Sequence, residues 1–172
     1  GYFYDNYAPS GKYGRKYLNK INANCCDFLS QNVRLPKNSK VISNPPYYRV
    51  SNISEDWNKT KILIDSKELY SAFMEKIMKQ SSSSVIITPY SYIGSKKFYS
   101  LRNFMNHYNG FVVSFDNVPG NIFNGRKYGI FNSNKGNSVR AAITVVENRE
   151  NIKGFKFSPL IRFKTDERNK ML

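Results

Sequence analysis

Hydrophobic positions fall into short runs broken by polar and proline-bearing stretches. Val41 and Ile42 centre a run, Lys40 to Ser43, that stops at Asn44-Pro45-Pro46-Tyr47. This predicts a short buried strand, because proline donates no ladder hydrogen bond and ends the pairing. Leu69, Phe73, Ile77 and Met78 recur at helical spacing and predict a helix over 66–80. Val85-Ile86-Ile87-Thr88, closed by Pro89, reads as a second strand. Phe98, Leu101, Phe104 and Met105 share one face of a predicted helix over 95–108, with Ser95 as N-cap and Gly110 marking its end. Phe111 to Phe115 and the β-branched run Val139 to Val146 read as third and fourth strands. Lys20 to Leu29 reads as a short strand and turn, and 35–39 as a loop. Residues 1–17, 51–66 and 148–172 show no clean period. Residues 117–137, with six Asn and four Gly, read as a long loop.

Strands alternating with helices of this length predict an α/β fold with a parallel sheet and right-handed crossovers. The last two strands are expected to form an antiparallel pair. A chain of 172 residues with 40% hydrophobic content supports one domain with one core. No apolar run approaches the ~20 residues that span a bilayer, and no signal-peptide pattern opens the sequence. Cys25 and Cys26 are adjacent, and with a single histidine they cannot close a four-ligand zinc site, so no metal is expected. A reducing, cytoplasmic setting is the expectation.

Charge adds a substrate class. The net charge is +15. Residues 1–50 carry 8 Lys/Arg against 2 Asp/Glu, residues 51–125 carry 8 against 6, and residues 126–172 carry 11 against 4. The excess lies at the two ends, interleaved with aromatic residues such as Tyr13, Tyr17, Tyr128, Phe155 and Phe157. That pattern suits a polyanion, usually nucleic acid, although a solvated basic surface reads almost as well.

The most specific feature is Asn44-Pro45-Pro46-Tyr47 at the end of a buried strand. Asn-Pro by itself marks a turn. Its place adds meaning, because ligands of parallel α/β sheets bind beyond the carboxyl ends of strands. Two prolines stiffen the backbone and hold the Asn44 carboxamide and the Pro45 carbonyl as fixed acceptors. Two converging acceptors can take both hydrogens of an exocyclic amine and turn its lone pair out of the ring plane. An aromatic ring at Tyr47 can stack on the base that bears the amine.

Ile42-Ser43-Asn44-Pro45-Pro46-Tyr47 resembles motif IV of the amino-methyltransferases, and the order of the following blocks resembles the type II and IIG restriction-modification N6-adenine DNA methyltransferases. Cys26-Asp27-Phe28-Leu29 is similar to motif III. The helix at Leu69 to Phe73, the segment from Val85 to Tyr92 with Leu101-Arg102, and Phe115 to Pro119 follow the family order. So do Ile122-Phe123-Asn124-Gly125 and Arg140 to Thr144, and the likeness covers about 22–147. The resemblance implies a partial Rossmann-like class I methyltransferase sheet and S-adenosylmethionine as cofactor. It makes Asn44, Pro45, Pro46 and Tyr47 catalytic, Asp27, Phe28 and Asn44 cofactor-binding, and Tyr47 with Phe123 base-facing. Phe131 is the alternative to Phe123. Arg49 and Arg140 are candidate contacts to double-stranded DNA.

Such enzymes also carry a glycine turn after their first strand, where the backbone must approach the cofactor closely. No two glycines here are one residue apart, and Gly11-Lys12-Tyr13-Gly14 follows no hydrophobic strand. Residues 1–147 are therefore expected to be a partial catalytic domain, and 148–172 a basic extension towards a target-recognition region. The edge of the Asn44 strand is expected to be open, or covered by residues 1–18, a missing amino-terminal half or another chain. Alternative functions are a non-catalytic nucleic-acid-binding module and a glutamine or RNA methyltransferase.

Overall fold

The computed structural model describes residues 3–4, 23–24, 26–118, 139–148 and 153–162. Two short strands, β1 (Phe3–Tyr4) and β2 (Ala23–Asn24), pair in parallel. A five-stranded sheet follows: β3 (Lys40–Ser43), β4 (Ser83–Pro89), β5 (Asn109–Val118), β6 (Val139–Glu147) and β7 (Phe155–Arg162). Their spatial order is β3-β4-β6-β5-β7.

β3 is parallel to β4, β6 is antiparallel to both β4 and β5, and β5 is parallel to β7. Four strands therefore point one way, and β6 alone runs back between β4 and β5. The expected antiparallel pair of β5 and β6 is present. β7 was not legible from the weak pattern of 148–172. Phe155 to Arg162 adds a strand at the outer edge of β5.

Between β3 and β4 the chain forms α1 (Lys61–Ser66) and α2 (Leu69–Gln80). The sequence predicts one helix from Ser66 and a loop before it. The predicted helix is α2, which starts three residues later, and α1 stands in the expected loop; two local events set α1 off. The Thr60 side chain accepts from the Leu63 amide and starts α1, and Lys67 turns left-handed at φ 54° and ends it. Ser66 and Ser71 then share a buried hydroxyl bond of 2.6 Å across the break.

The second predicted helix, 95–108, is a 3₁₀ turn (Lys96–Phe98) running into α4 (Tyr99–Met105), and a short α3 (Ser91–Gly94) that the sequence did not predict precedes it. Ser95 is extended and makes no side-chain cap. Arg102 Nη1 instead donates to the Tyr92 and Ser95 carbonyls at 2.7 and 2.8 Å, satisfying acceptors at the break. Gly110 does not end the helix; it lies within β5. A Cβ there would meet the Val145 carbonyl at 2.2 Å and the Phe155 ring at 2.5 Å, so the backbone approach demands glycine.

Residues paired across strands share a face. Ile86, Thr144 and Val112 are aligned in register on the buried face. There Ile86, Val112, Ala142 and Val146 pack in one cluster with Tyr70, Phe73, Met74, Ile77 and Met78 of α2, and with Tyr92, Phe98, Leu101 and Met105. Each fully buried large side chain contributes about 1.5–3 kcal/mol. The opposite face carries the row Ile42, Val85, Val145 and Phe111. Its flanks stand open: Ile42 is 85% and Phe111 49% exposed. Among the described residues no strand pairs with the outer edge of β3.

Candidate active site

The diproline corner follows directly from the end of β3, at the carboxyl edge of the sheet. Asn44 is exposed, Pro45 is buried, and Pro46 and Tyr47 are half-buried. Beyond the corner the chain is fastened to the α1–α2 junction. Leu69 N donates to the Tyr48 carbonyl at 2.8 Å, and Val50 N donates to the Lys67 carbonyl at 2.9 Å. Arg49 bridges Glu68 through the backbone and its side chain is exposed.

Tyr47 turns inward. Its ring meets Tyr70 edge-on, with centroids 6.3 Å apart and an interplanar angle of 88°. Tyr70 in turn tilts on Phe98 at 5.5 Å and shares a hydrogen bond with Ser91 at 3.0 Å. The Tyr47 hydroxyl donates to Asn44 Oδ1 and also lies 3.0 Å from the Ile87 carbonyl on β4. Burial pushes the Tyr47 phenol well above its ordinary range. It therefore stays protonated and keeps a proton to donate. The Asn44 carboxamide is thereby oriented, with its oxygen towards Tyr47. No main-chain amide ties it down in this arrangement, and the residue remains open to solvent.

The other predicted residues have partners of their own. Asp27 Oδ1 accepts from Leu29 N at 3.0 Å, and Oδ2 accepts from Trp57 Nε1 at 2.7 Å. Phe28 is 4% exposed and packs on Phe73 at 5.2 Å. In this arrangement Asp27 holds a turn and clamps an indole, while Phe28 is core. Arg140 lies at the same sheet edge as Asn44, because β6 starts where β4 and β5 end. Its Nε donates to Asp116 Oδ1 at 3.2 Å, and its carbonyl accepts from Tyr90 N at 3.1 Å. Phe123 and Phe131 lie outside the described residues. Among the described residues no three His, Cys, Asp or Glu side chains gather as a metal site, and no helix is long and apolar enough to cross a membrane.

Sequence reasoning marked Trp57 as an anchor of 51–66 but did not find the Ile87 carbonyl or the role of Tyr70. The carbonyl is backbone, invisible to residue type. Tyr70 carried a signal, since it stands three residues before Phe73 on the buried side of α2.

The family model described as the Eco57I restriction-modification methylase matches residues 14–123. The chain belongs to that family. No curated protein matches it by sequence. Two solved structures share its fold. One is a class I S-adenosylmethionine-dependent methyltransferase, described as putative, from Listeria monocytogenes, at 14% identity and TM-score 0.51, covering 85% of this chain and 43% of that one. The other is the M protein of the type I restriction enzyme EcoKI, at 13% identity and TM-score 0.52, covering 84% and 30%. The chain thus spans less than half the length of either structure. Its α/β architecture, with a mixed five-stranded sheet, is similar to that of class I methyltransferases.

Proposed function

We propose that this chain is the amine-receiving half of an adenine-N6 DNA methyltransferase of a restriction-modification system. The observation that carries the reading is the exposed Asn44 carboxamide at the carboxyl edge, held by Tyr47 beside a rigid diproline turn.

In this reading an adenine leaves the duplex and brings its exocyclic amine to the corner. One N–H donates to Asn44 Oδ1 and the other to the Pro45 carbonyl. As both hydrogens are held, the nitrogen becomes pyramidal and its lone pair leaves conjugation with the ring. As Asn44 Oδ1 takes the amine, the Tyr47 proton still has the Ile87 carbonyl as partner. Arg49 and Arg140 offer cations near this edge for phosphates, although Arg140 is already balanced by Asp116. Double-stranded DNA is the partner this implies, and the basic ends favour it over a glutamine peptide.

S-adenosylmethionine is the cofactor expected for the family, and it supplies an electrophilic methyl group. Because both Asp27 oxygens already accept hydrogen bonds within the chain and Phe28 is buried, the chain alone is proposed to be inactive. A second polypeptide segment is proposed to complete the site at the open β3 edge, in a cytoplasmic setting. Residues 1–147 are proposed as the partial catalytic domain. Within 148–172 the strand β7 belongs to the sheet, and the rest is proposed to lead towards target recognition.

The test is an NMR titration of the labelled chain with single-stranded oligonucleotides bearing adenine or N6,N6-dimethyladenine. The side-chain amide of Asn44 is expected to shift with adenine only, because the dimethylated base has no N–H to donate. Equal response to both would remove the amine receptor and favour a nucleic-acid-binding module without catalysis. Turnover of S-adenosylmethionine on unmethylated DNA by this chain alone would overturn the proposed dependence on a second segment.

A further inference from the structure

A cavity of about 440 Å³ opens on the flank of α2, away from the diproline corner. None of residues 44–47 lines it. Along α2 its wall runs from Ala72 through Glu75, Lys76 and Lys79 to Gln80, which is one helical stripe. That stripe descends towards Ser83, the amino end of β4, whereas the corner sits at the carboxyl ends of the strands. The facing wall comes from the loop that holds Arg34 and from Trp57. Its size falls within the range typical of small-molecule sites.

The polar groups of this cavity are mostly donors. Lys79 is already committed, its ammonium bound to Glu75 at 2.6 Å. Gln80 Oε1 accepts from Leu35 N at 2.9 Å, which leaves the amide NH₂ to donate. Lys76 Nζ donates to the Ser30 carbonyl at 2.7 Å and sits 5.1 Å over the Phe28 ring, with two further protons to give. Arg34 makes no ion pair or hydrogen bond among the described residues, and its charge faces that of Lys76. Burial first, and then that neighbouring guanidinium, lower the Lys76 ammonium pKa, against a smaller opposing pull from Asp27 and Cys26. Arg34 and Lys76 thus bring two cations to one cavity; its carboxylate Glu75 is already paired with Lys79, and Asp27 accepts from Leu29 N and Trp57 Nε1, so an anion can enter between the cations. The indole of Trp57 is fixed through its Nε1 to Asp27, so its flat wall is in place before any ligand enters.

We infer that this cavity binds a nucleotide unit, its phosphate between Arg34 and Lys76 and its base against Trp57. The phosphate meets a bidentate guanidinium, an ammonium and an amide. The base meets an indole whose edge is already hydrogen-bonded. A free mononucleotide and a nucleotide within a single strand present the same chemistry. The cavity is independent of the amine-receiving corner, and its test does not need methyl transfer.

Trp57 is the sole tryptophan of the sequence, so its emission reads this cavity directly. The intact chain is titrated with adenosine monophosphate, with inorganic phosphate, and with a short single-stranded oligonucleotide. Adenosine monophosphate is expected to quench Trp57, and inorganic phosphate to compete without quenching. Tighter binding of the oligonucleotide assigns the nucleotide to a strand; tighter binding of adenosine monophosphate assigns it to a free ligand. Arg34→Glu is expected to weaken binding by at least ~10-fold, since a charged hydrogen bond is worth about 1.5–3 kcal/mol. The charge-matched control Lys96→Glu, exposed and away from the cavity, is expected to stay within ~2-fold of the parent, as a rim charge should. Circular dichroism of both variants checks that the fold persists. Emission unmoved by adenosine monophosphate at millimolar concentration would overturn the inference. So would equal weakening by the two variants, which would mark bulk attraction to a chain of net charge +15.

Discussion

Removing the Tyr47 hydroxyl separates two roles that this side chain can play. In Tyr47→Phe the ring keeps its edge-on packing against Tyr70, so no cavity opens. What goes is the one proton that serves Asn44 Oδ1 and the Ile87 carbonyl. A single proton makes one net bond, so the expected cost is about 0.5–1.5 kcal/mol. For a domain of this size that lowers Tm by about 2–4 °C per kcal/mol. Tyr47→Ala removes the half-buried ring as well. Full loss of a buried aromatic costs about 3–5 kcal/mol, and half burial scales this to about 2 kcal/mol beyond the hydroxyl loss. Equilibrium urea unfolding measures both, with the midpoint moving and the slope constant. Base binding supplies the second readout. An anchoring hydroxyl predicts that Tyr47→Phe already weakens the response of Asn44 to adenine oligonucleotides. A ring that only stacks predicts that Tyr47→Phe binds normally and Tyr47→Ala does not. Unchanged stability and unchanged base response in Tyr47→Phe would refute the oriented-carboxamide argument.

Three other perturbations address the scaffold. Burial raises the phenols of Tyr47, Tyr70 and Tyr92 above the ordinary tyrosine range. The folded state therefore holds protons that the unfolded chain releases near pH ~10. Stability should be constant below that pH and fall above it by up to ~1.4 kcal/mol per pH unit for each tyrosine, read by urea midpoints across an alkaline series. Gly110→Ala places a methyl against the Val145 carbonyl and the Phe155 ring, so β5 must shift. A loss of about 1–3 kcal/mol in urea unfolding is expected, and an unaltered midpoint would show that the close approach is absent in solution. Ile42→Lys changes a side chain that is 85% exposed. It should move Tm by no more than ~0.5 kcal/mol equivalent while reducing self-association in light scattering; a loss above ~2 kcal/mol would mean that the face is covered.

The strands were legible where apolar runs met proline. β3 and β4 both end at a proline-bearing segment, and the proposed site sits at those ends. The two longer helices were legible as stripes, but the short helices α1 and α3 that precede them were not. Their ends depend on Lys67 adopting a left-handed turn and on Arg102 reaching two carbonyls, and neither event has a periodic signature. β7 was hidden because Phe155, Phe157, Leu160 and Ile161 lie on an edge strand among basic residues, with Pro159 between them. At the site, residue type named Asn44 and Tyr47 but could not give the direction of the Tyr47 ring. Asp27 shows the same limit. An acidic residue after a short strand reads equally as a ligand or a turn former, and here the Leu29 amide and the Trp57 indole take up its oxygens.

These contacts also locate the acceptor corner's support. Asn44 is oriented by Tyr47, Tyr47 by Tyr70 and by the β4 carbonyl of Ile87, and Tyr70 by Phe98 and Ser91. Each link lies within β3, α2, β4 or the helices that follow. The link across strands depends on the β3–β4 register, in which Ser43 faces Ile86, so a slip of one residue would carry the Ile87 carbonyl away from the phenol. None of these links involves the outer edge of β3. The proposed amine-receiving geometry can therefore persist while that edge is open. A segment docking along the edge would reach the side of Asn44 opposite β4. That separation is why amine recognition and cofactor binding are expected to respond independently to mutation.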